Sequence, residues 1–408
     1  MRRMMVLAGC VLTVAGARAQ PSDVLVDVNA LAFRVHDAVS QAPMPARNMA
    51  IVNLAMFDAV NAIEQRYAAY RAQVAAPNAA SPAAAAVGAG CAAISALYPT
   101  QRDSVQKECT GFVIRLPAGE VDAASIAFGE SVGRSQVEAR KDDGFGTPNA
   151  WRPTTQPGTY VPTAMPVGWD LRSMRPFAMR EPSQFRPGPP PALAGEAWAR
   201  DYNELKAIGS RSSTQRTPEQ ASIARYWYYS GVLSLTPQMQ QAARAAGPHI
   251  SDRARILALT NMAASDAGVA VFDAKYAYNF WRPLTAIRNG DIDGNDATER
   301  DAAWVPLLDA PMHPEYPCAH CITSTAVGEV LASVLGTGEL ATPLSAPAAG
   351  VPPAEAAVRS WRRVSDIATE MSNARIWSGI HFRNSTEVGA AMGREIGRYV
   401  LETQLKPR

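Results

Sequence analysis

Helical periodicity runs through this sequence with no competing strand signal, and that narrows the fold more than any other property. Between residues 46 and 66, Val52, Met56, Ala59, Val60 and Ile63 recur at helical spacing and mark one buried face. Residues 83–97, 102–116 and 123–141 continue the pattern, the first of them rich in alanine, whose small side chain lets helices approach closely. Thr217-Pro-Glu-Gln220 is a capping box with proline at the first helical position, a helix start ahead of Ile223 to Tyr229. Residues 251–281 read as one long helix ended by Pro283. No segment alternates apolar and polar residues between turn signals, so strands are minor. The expected fold is all-α, a large helical domain of two packed helical bundles.

One stretch interrupts the pattern. Residues 142–191 carry Gly144, Gly146, Pro148, Pro153, Pro157, Pro162, Pro166 and Pro187-Gly-Pro-Pro-Pro191. So many prolines remove helix donors, and the segment must wrap the surface. Trp151, Tyr160, Trp169, Phe177 and Phe185 are spaced through it, which a flexible linker would not carry, so the expectation is an ordered loop packed on the helical body. This excursion lies within an N-terminal helical region, 20–210, in which helices resume at Ala194, and a C-terminal helical region follows at 211–408. Asp58 adjoins the buried face of 46–66; a solvated acid at its edge is the commoner case, an interior acid paired with an arginine the other.

Residues 1–19 have the regions of a secretory signal: Met1-Arg-Arg, an apolar run, then Ala17-Arg-Ala19 before Gln20. The expected location is therefore periplasmic or secreted. Beyond that signal no segment reads as long and apolar enough to span a bilayer. With 39 basic and 37 acidic residues, charge is nearly balanced, which excludes a nucleic-acid binder with a basic face. Loss of Cys10 with the signal leaves Cys91, Cys109, Cys318 and Cys321, for which three pairings are open. Homo-oligomerisation is left open.

Three short segments carry chemistry. Lys275-Tyr-Ala-Tyr-Asn-Phe-Trp-Arg282-Pro283 places two cations seven apart, on one helix face about two turns apart and both in reach of one oxoanion. Pro311-Met-His313-Pro-Glu-Tyr-Pro317-Cys318-Ala319-His320 leads into a helix from Pro317 to Leu335, whose first N–H groups, near Cys318, Ala319 and His320, favour an anion. His320 stands beside them with a pKa range suited to moving a proton. In Ala374-Arg375-Ile-Trp-Ser-Gly379-Ile-His381, the cation and the histidine would point about 120° apart on an ideal helix, and Gly379 supplies a break that turns both to one pocket. Taken singly, a solvated cation face and a structural histidine are the commoner readings. The order of all three together is specific.

That order resembles the signature of the vanadium-dependent haloperoxidases and the type 2 phosphatidic-acid phosphatase superfamily: K-x6-R-P, then P-S-G-H, then S-R-x5-H-x3-D. Lys275, Arg282 and Pro283 match the first block, Pro317 and His320 the second, Arg375 and His381 the third; Cys318, Ala319, Ala374 and Ser385 depart from it. Asp58-Ala-Val-Asn61, Trp151-Arg-Pro-Thr154, Gln184-Phe-Arg-Pro187 and the 282–288 stretch also resemble secreted bacterial members of the haloperoxidase branch. The resemblance implies that His381 bonds the central atom, vanadium in a haloperoxidase or phosphorus in a phosphohistidine. It implies that Lys275, Arg282 and Arg375 neutralise the oxygens with help from the Cys318 and Ala319 positions, and that His320 is the acid/base. His313, seven before His320, falls at a pocket position where histidine goes with bromide oxidation.

Three functions follow. The first is oxidation of halide, bromide or iodide, by hydrogen peroxide with vanadate as cofactor. The second is a cofactor-free acid phosphatase acting on phosphate monoesters through His381. The third is an oxoanion-binding protein with weakened catalysis, argued from Cys318, a poorer donor than a hydroxyl, from the added methyl of Ala319, and from Ser385, which supplies no carboxylate. Asp266 and Asp273 are the candidates to supply that carboxylate. Cys318 and Cys321 form a C-x-x-C without the βαβ context of a redox motif, so a structural disulfide, within the pair or to another cysteine, is expected. Residues 291–296 look like the start of a calcium loop, but Asp296 stands where glycine is needed, and they read as a turn-rich loop.

Overall fold

A computed structural model describes residues 23–39, 46–71, 75–162, 164–230, 235–347 and 358–408; the expected signal at 1–19 lies outside them. The chain forms α1 (Val24–Val39), α2 (Ala46–Glu64), α3 (Pro82–Leu97), α4 (Arg102–Ile114) and α5 (Ala123–Glu138) before the proline-rich excursion. Then follow α6 (Glu196–Ile208), α7 (Pro218–Ser230), α8 (Thr236–Ala245), α9 (Ile250–Tyr278), α10 (Pro283–Arg288), α11 (Ala319–Leu335), α12 (Val364–Trp377) and α13 (Arg383–Thr403). Among the described residues the only sheet is an antiparallel pair, β1 (Leu344–Pro347) and β2 (Val358–Trp361), with Leu344 opposite Trp361. The protein is all-α, as its periodicity predicts.

Local chemistry sets the boundaries. Ser81 caps α3, its Oγ accepting from the Ala84 N–H at 3.1 Å with Pro82 following, and Asp122 caps α5 through the N–H groups of Ala124 and Ser125. Thr217 and Gln220 exchange side-chain bonds with each other's N–H groups at the start of α7, the reciprocal pattern of a capping box. α3 and α5 pack at backbone distance: a Cβ on Gly129 would lie 2.0 Å from the Ala85 carbonyl oxygen.

α9 is the central element. It packs on α2 from one half of the chain and on α11 and α13 from the other, and one apolar core runs through both halves. By length and composition α9 could cross a bilayer, which the sequence reading denied; its apolar window is wholly buried inside the protein. A helix covered on every side needs apolar residues all round, and that removes the amphipathic stripe by which a surface helix is recognised.

The excursion is ordered and packed, with Tyr160 and Phe177 buried and Trp151, Trp169 and Phe185 against the core. Asp266 of α9 anchors it by accepting from the N–H groups of Phe177, Ala178 and Met179 at 2.6–2.8 Å. Arg186 forms a two-bond pair with Asp273 at 2.7 Å for each contact. Asp58 is an interior acid, not the solvated one, and its partners are the Tyr70 N–H and the Gln136 amide, at 3.0 and 2.6 Å. Two local disulfides, Cys91–Cys109 and Cys318–Cys321, settle the pairing. The 291–296 stretch is a short 3-10 turn and loop in which Asp293 accepts from Trp198, Asn295 and Thr298, and no group of potential metal ligands occurs among the described residues.

Candidate active site

Lys275 and Arg282 do not share a helix. α9 stops at Tyr278, where Asn279 takes a left-handed conformation (φ 48°) and its N–H closes on the Lys275 carbonyl at 2.8 Å. Arg282 is extended (φ −80°, ψ 154°), as the residue before a proline tends to be, and it caps α10. Between them the chain pairs with the excursion, Tyr160 N–H to Asn279 and Trp281 N–H to Gly158. The two cations therefore converge through a turn, not through a shared helix face.

Each side chain then has a distinct task. Lys275 is fully buried and its ammonium donates to the carbonyls of Pro314, Glu315 and Pro317 at 2.9, 2.8 and 2.6 Å. An ammonium has three donors, so these bonds take them all. Lys275 offers the site its charge and holds the loop before α11; it does not point a hydrogen bond into the pocket. Arg282 donates from Nε to the His313 carbonyl at 2.8 Å, from Nη1 to the Ile380 carbonyl at 3.0 Å and to His381 Nε2 at 3.3 Å, and from Nη2 to His313 Nδ1 at 2.9 Å. A guanidinium only donates, so both ring nitrogens it meets are acceptors.

The break after α12 works as expected. Ser378 caps the helix, Gly379 turns with φ 80° against Gly209 and Pro306, and the His381 N–H returns to the Arg375 carbonyl at 3.3 Å. His381 Nδ1 then lies 2.7 Å from Glu315 Oε1. With Nε2 accepting from Arg282, Nδ1 carries the ring proton and donates it to Glu315. Nε2 is therefore unprotonated, with its lone pair turned to Arg282 Nη1.

Glu315 went unnoticed in the sequence. It is fully buried, and Oε1 also accepts from the Phe382 N–H at 3.1 Å. Its signal was present: an acid inside His-Pro-Glu-Tyr-Pro, a run otherwise short of charge. Asp266 and Asp273, the candidates for a carboxylate at the site, are instead committed to the excursion. Ser385 Oγ stands 3.4 Å from His381 Nδ1, on the same side as Glu315.

Cys318 and Ala319 part company. Cys318 is the N-cap of α11; its sulfur is in the disulfide and accepts from the Cys321 N–H, and its own N–H goes to the Ser385 carbonyl at 3.1 Å. It has no donor left for an anion, so the expectation of an anion contact at Cys318 is corrected. Ala319 and His320 occupy the first turn, where N–H groups have no partner inside the helix. His313 sits buried between Arg282 and the edge of Phe272, ring centroids 5.1 Å apart.

The electrostatics of the site are one-sided. Burial, then mutual repulsion, pushes Lys275 well below its usual range and lowers Arg375 to about 9; burial lowers Arg282 to about 10. Burial and the same cations hold His313, His320 and His381 well below the usual imidazole range, so all three are neutral near pH 7. Burial raises Glu315 to about 7. Three cations face one carboxylate in a desolvated space. Arg375 Nε and Nη1 and His320 Nε2 are buried without a hydrogen-bond partner. Unpaired buried donors are costly, and a multiply charged oxoanion supplies both the acceptors and the missing negative charge. The residues present fit vanadate or phosphate: Arg375 and Arg282 with the first N–H groups of α11 around its oxygens, and His381 Nε2 at its central atom.

Comparison with known proteins places this geometry. Residues 255–407, which contain every residue of the cluster, match the family described as VCPO second helical-bundle domain. Over 389 residues the chain is 23% identical to the vanadium chloroperoxidase of Curvularia inaequalis, a match covering 75% of this chain and 63% of that protein, so the chain spans less than two thirds of this relative's length. Its fold is similar to that of a crystal structure described as the first bacterial vanadium-dependent iodoperoxidase, with a TM-score of 0.79, 23% identity, and coverage of 95% of this chain and 99% of that one. A holo-type bacterial vanadium-dependent chloroperoxidase is also similar, with a TM-score of 0.69, 17% identity, and coverage of 93% and 92%. Residues 255–407 thus match the helical-bundle domain that carries the whole cluster, and the chain as a whole shares the fold of these vanadium-dependent haloperoxidases.

Proposed function

We propose that this protein is a vanadate-dependent haloperoxidase that oxidises bromide or iodide with hydrogen peroxide. One observation carries the reading: the buried, unpartnered donors of Arg375 and the unpartnered Nε2 of His320 lie in the same net-positive space as the unprotonated Nε2 of His381, which Arg282 Nη1 reaches at 3.3 Å. Vanadate, when bound, supplies the Lewis-acidic centre that activates peroxide towards halide. The chain's own residues bind and orient. His381 offers Nε2 as the ligand atom, Arg282 and Arg375 balance the oxygens, and Lys275 adds charge while holding the loop that carries Glu315. His320, neutral and at the start of α11, is placed to take a proton from an incoming peroxide and return it. His313 is fixed by Arg282 at the edge of the site, where we assign it to the halide side. Two disulfides and the signal-like residues 1–19 support an exported, periplasmic or secreted enzyme.

The test is a paired assay on vanadate-loaded protein: bromide and iodide oxidation with peroxide, and phosphate release from a generic monoester. Halide oxidation lost in His381→Ala is the expected result. Absence of halide oxidation after loading would sink the proposal, and monoester hydrolysis abolished by His381→Ala would replace it with the phosphatase reading.

A further inference from the structure

We propose that Glu315 is the positioning residue of His381, holding the imidazole so that Nε2 presents its lone pair to the oxoanion; this rests on reading His381 as the residue that bonds that anion. The superfamily pattern puts a carboxylate four residues after the histidine, on the following helix, and this chain has Ser385 there. Here the carboxylate arrives from the opposite direction, on the loop before α11, and reaches Nδ1 at 2.7 Å. Ser385 Oγ, at 3.4 Å, is close enough to mark the vacated place but too far for more than a weak contact.

Glu315 is held at its backbone and through Oε1, while its buried Oε2 meets no hydrogen-bond partner. Its N–H donates to the Phe280 carbonyl at 2.9 Å, its own carbonyl accepts from Lys275 at 2.8 Å, and Oε1 accepts from both His381 Nδ1 and the Phe382 N–H. Lys275, Glu315 and His381 thus form one chain of contacts: the ammonium sets the backbone, the backbone sets the carboxylate, and the carboxylate sets the ring. A ring held this way cannot rotate or exchange its proton between nitrogens without breaking two buried bonds. That preorganisation is what the partner of a ligating histidine contributes. A plain structural acid would need only the Phe382 N–H, and glutamine could accept that bond equally well.

The experiment measures orthovanadate affinity by calorimetry for the full chain and for Glu315→Gln, Glu315→Ala, Glu315→Ala with Ser385→Asp, and His381→Ala. Histidine 15N shifts of the anion-free protein report which nitrogen carries the proton. We expect Glu315→Ala to weaken vanadate by about 10- to 100-fold, Glu315→Gln by less, and Ser385→Asp to restore most of the loss in the Glu315→Ala background by returning a carboxylate to Nδ1. The 15N spectrum should show Nδ1–H in the native protein and a mixture in Glu315→Ala. If Glu315→Ala and Glu315→Gln both fold and bind vanadate as the native chain does while His381→Ala does not, the positioning role is wrong and the reading of His381 stands. If His381→Ala also binds normally, that reading falls too. Failure of Ser385→Asp to rescue a folded Glu315→Ala would likewise overturn the role.

Discussion

Replacing Arg375 with methionine should push stability and anion affinity in opposite directions. This guanidinium is buried, with Nε and Nη1 unpartnered, and burial lowers it from 12.5 to about 9. At 1.36 kcal/mol per pKa unit, that shift corresponds to roughly 5 kcal/mol of unfavourable burial, although the group stays charged at pH 7. Methionine fills similar space and needs no partners, so the anion-free variant should be as stable as the native chain or more so. With vanadate present the balance reverses. Two charge-assisted hydrogen bonds of about 1.5–3 kcal/mol each are lost, or roughly 100- to 10,000-fold in affinity. The assay is thermal unfolding with and without orthovanadate, alongside calorimetric titration. Native protein at 100 times its Kd gains about 2.7 kcal/mol from the ligand, and Arg375→Met should gain almost nothing. A variant that melts well below the native chain without anion yet binds vanadate normally would refute the reasoning, because Arg375 would then be a structural cation.

Three further outcomes follow from the same kind of argument. Lys275→Met should lower stability with or without anion, because it strips three buried carbonyls of their donor at about 1–3 kcal/mol each; thermal melts that match the native chain would contradict the saturated ammonium. Asp58 is raised from 3.8 to about 7 by burial, so the folded acid holds its proton where the unfolded one does not, and its stabilising contribution, complete below about pH 4, is lost as pH climbs through about 7. Stabilities from urea unfolding at pH 5 and pH 8 should therefore differ less in Asp58→Asn than in the native protein, by about 3 kcal/mol, and an unchanged difference would count against it. The Cys318–Cys321 pair is fully buried, so neither of its sulfurs should react with thiol reagents in the folded chain; the double serine variant should lose only about 2 kcal/mol, since so short a loop constrains little unfolded entropy.

Local signals were legible wherever the physics was local. Helix starts at Pro82, Ala123 and Pro218 follow from Ser81, Asp122 and the Thr217–Gln220 box, and the turn after Arg375 follows from Gly379. What escaped depended on packing. Asp58 sits at the margin of an apolar face and nothing in its neighbours announces that Gln136, from another helix, satisfies it. α9 was expected to continue to Trp281, yet Asn279 can adopt the left-handed turn and Pro283 forces Arg282 to extend, so the two cations meet across a loop. α9 was expected to fall short of a membrane span, yet by length and composition it could be one, because a helix buried on every side and a span both need apolar residues all round. Glu315 was the largest omission. Asp266 and Asp273, the acids on the helix that carries Lys275, are both committed to the proline-rich excursion, whereas the pairing acid lies in the loop that carries His313.

The central claim is that one oxoanion site, with His381 as its ligand, is assembled from the turn after α9, the start of α11 and the break after α12. Anomalous diffraction at the vanadium absorption edge, from crystals of the full chain soaked in orthovanadate, tests it directly. The account predicts one strong peak bonded to His381 Nε2 and in reach of Arg282 and Arg375. A peak elsewhere, or none in a site confirmed to be accessible by phosphate soaking, would contradict it.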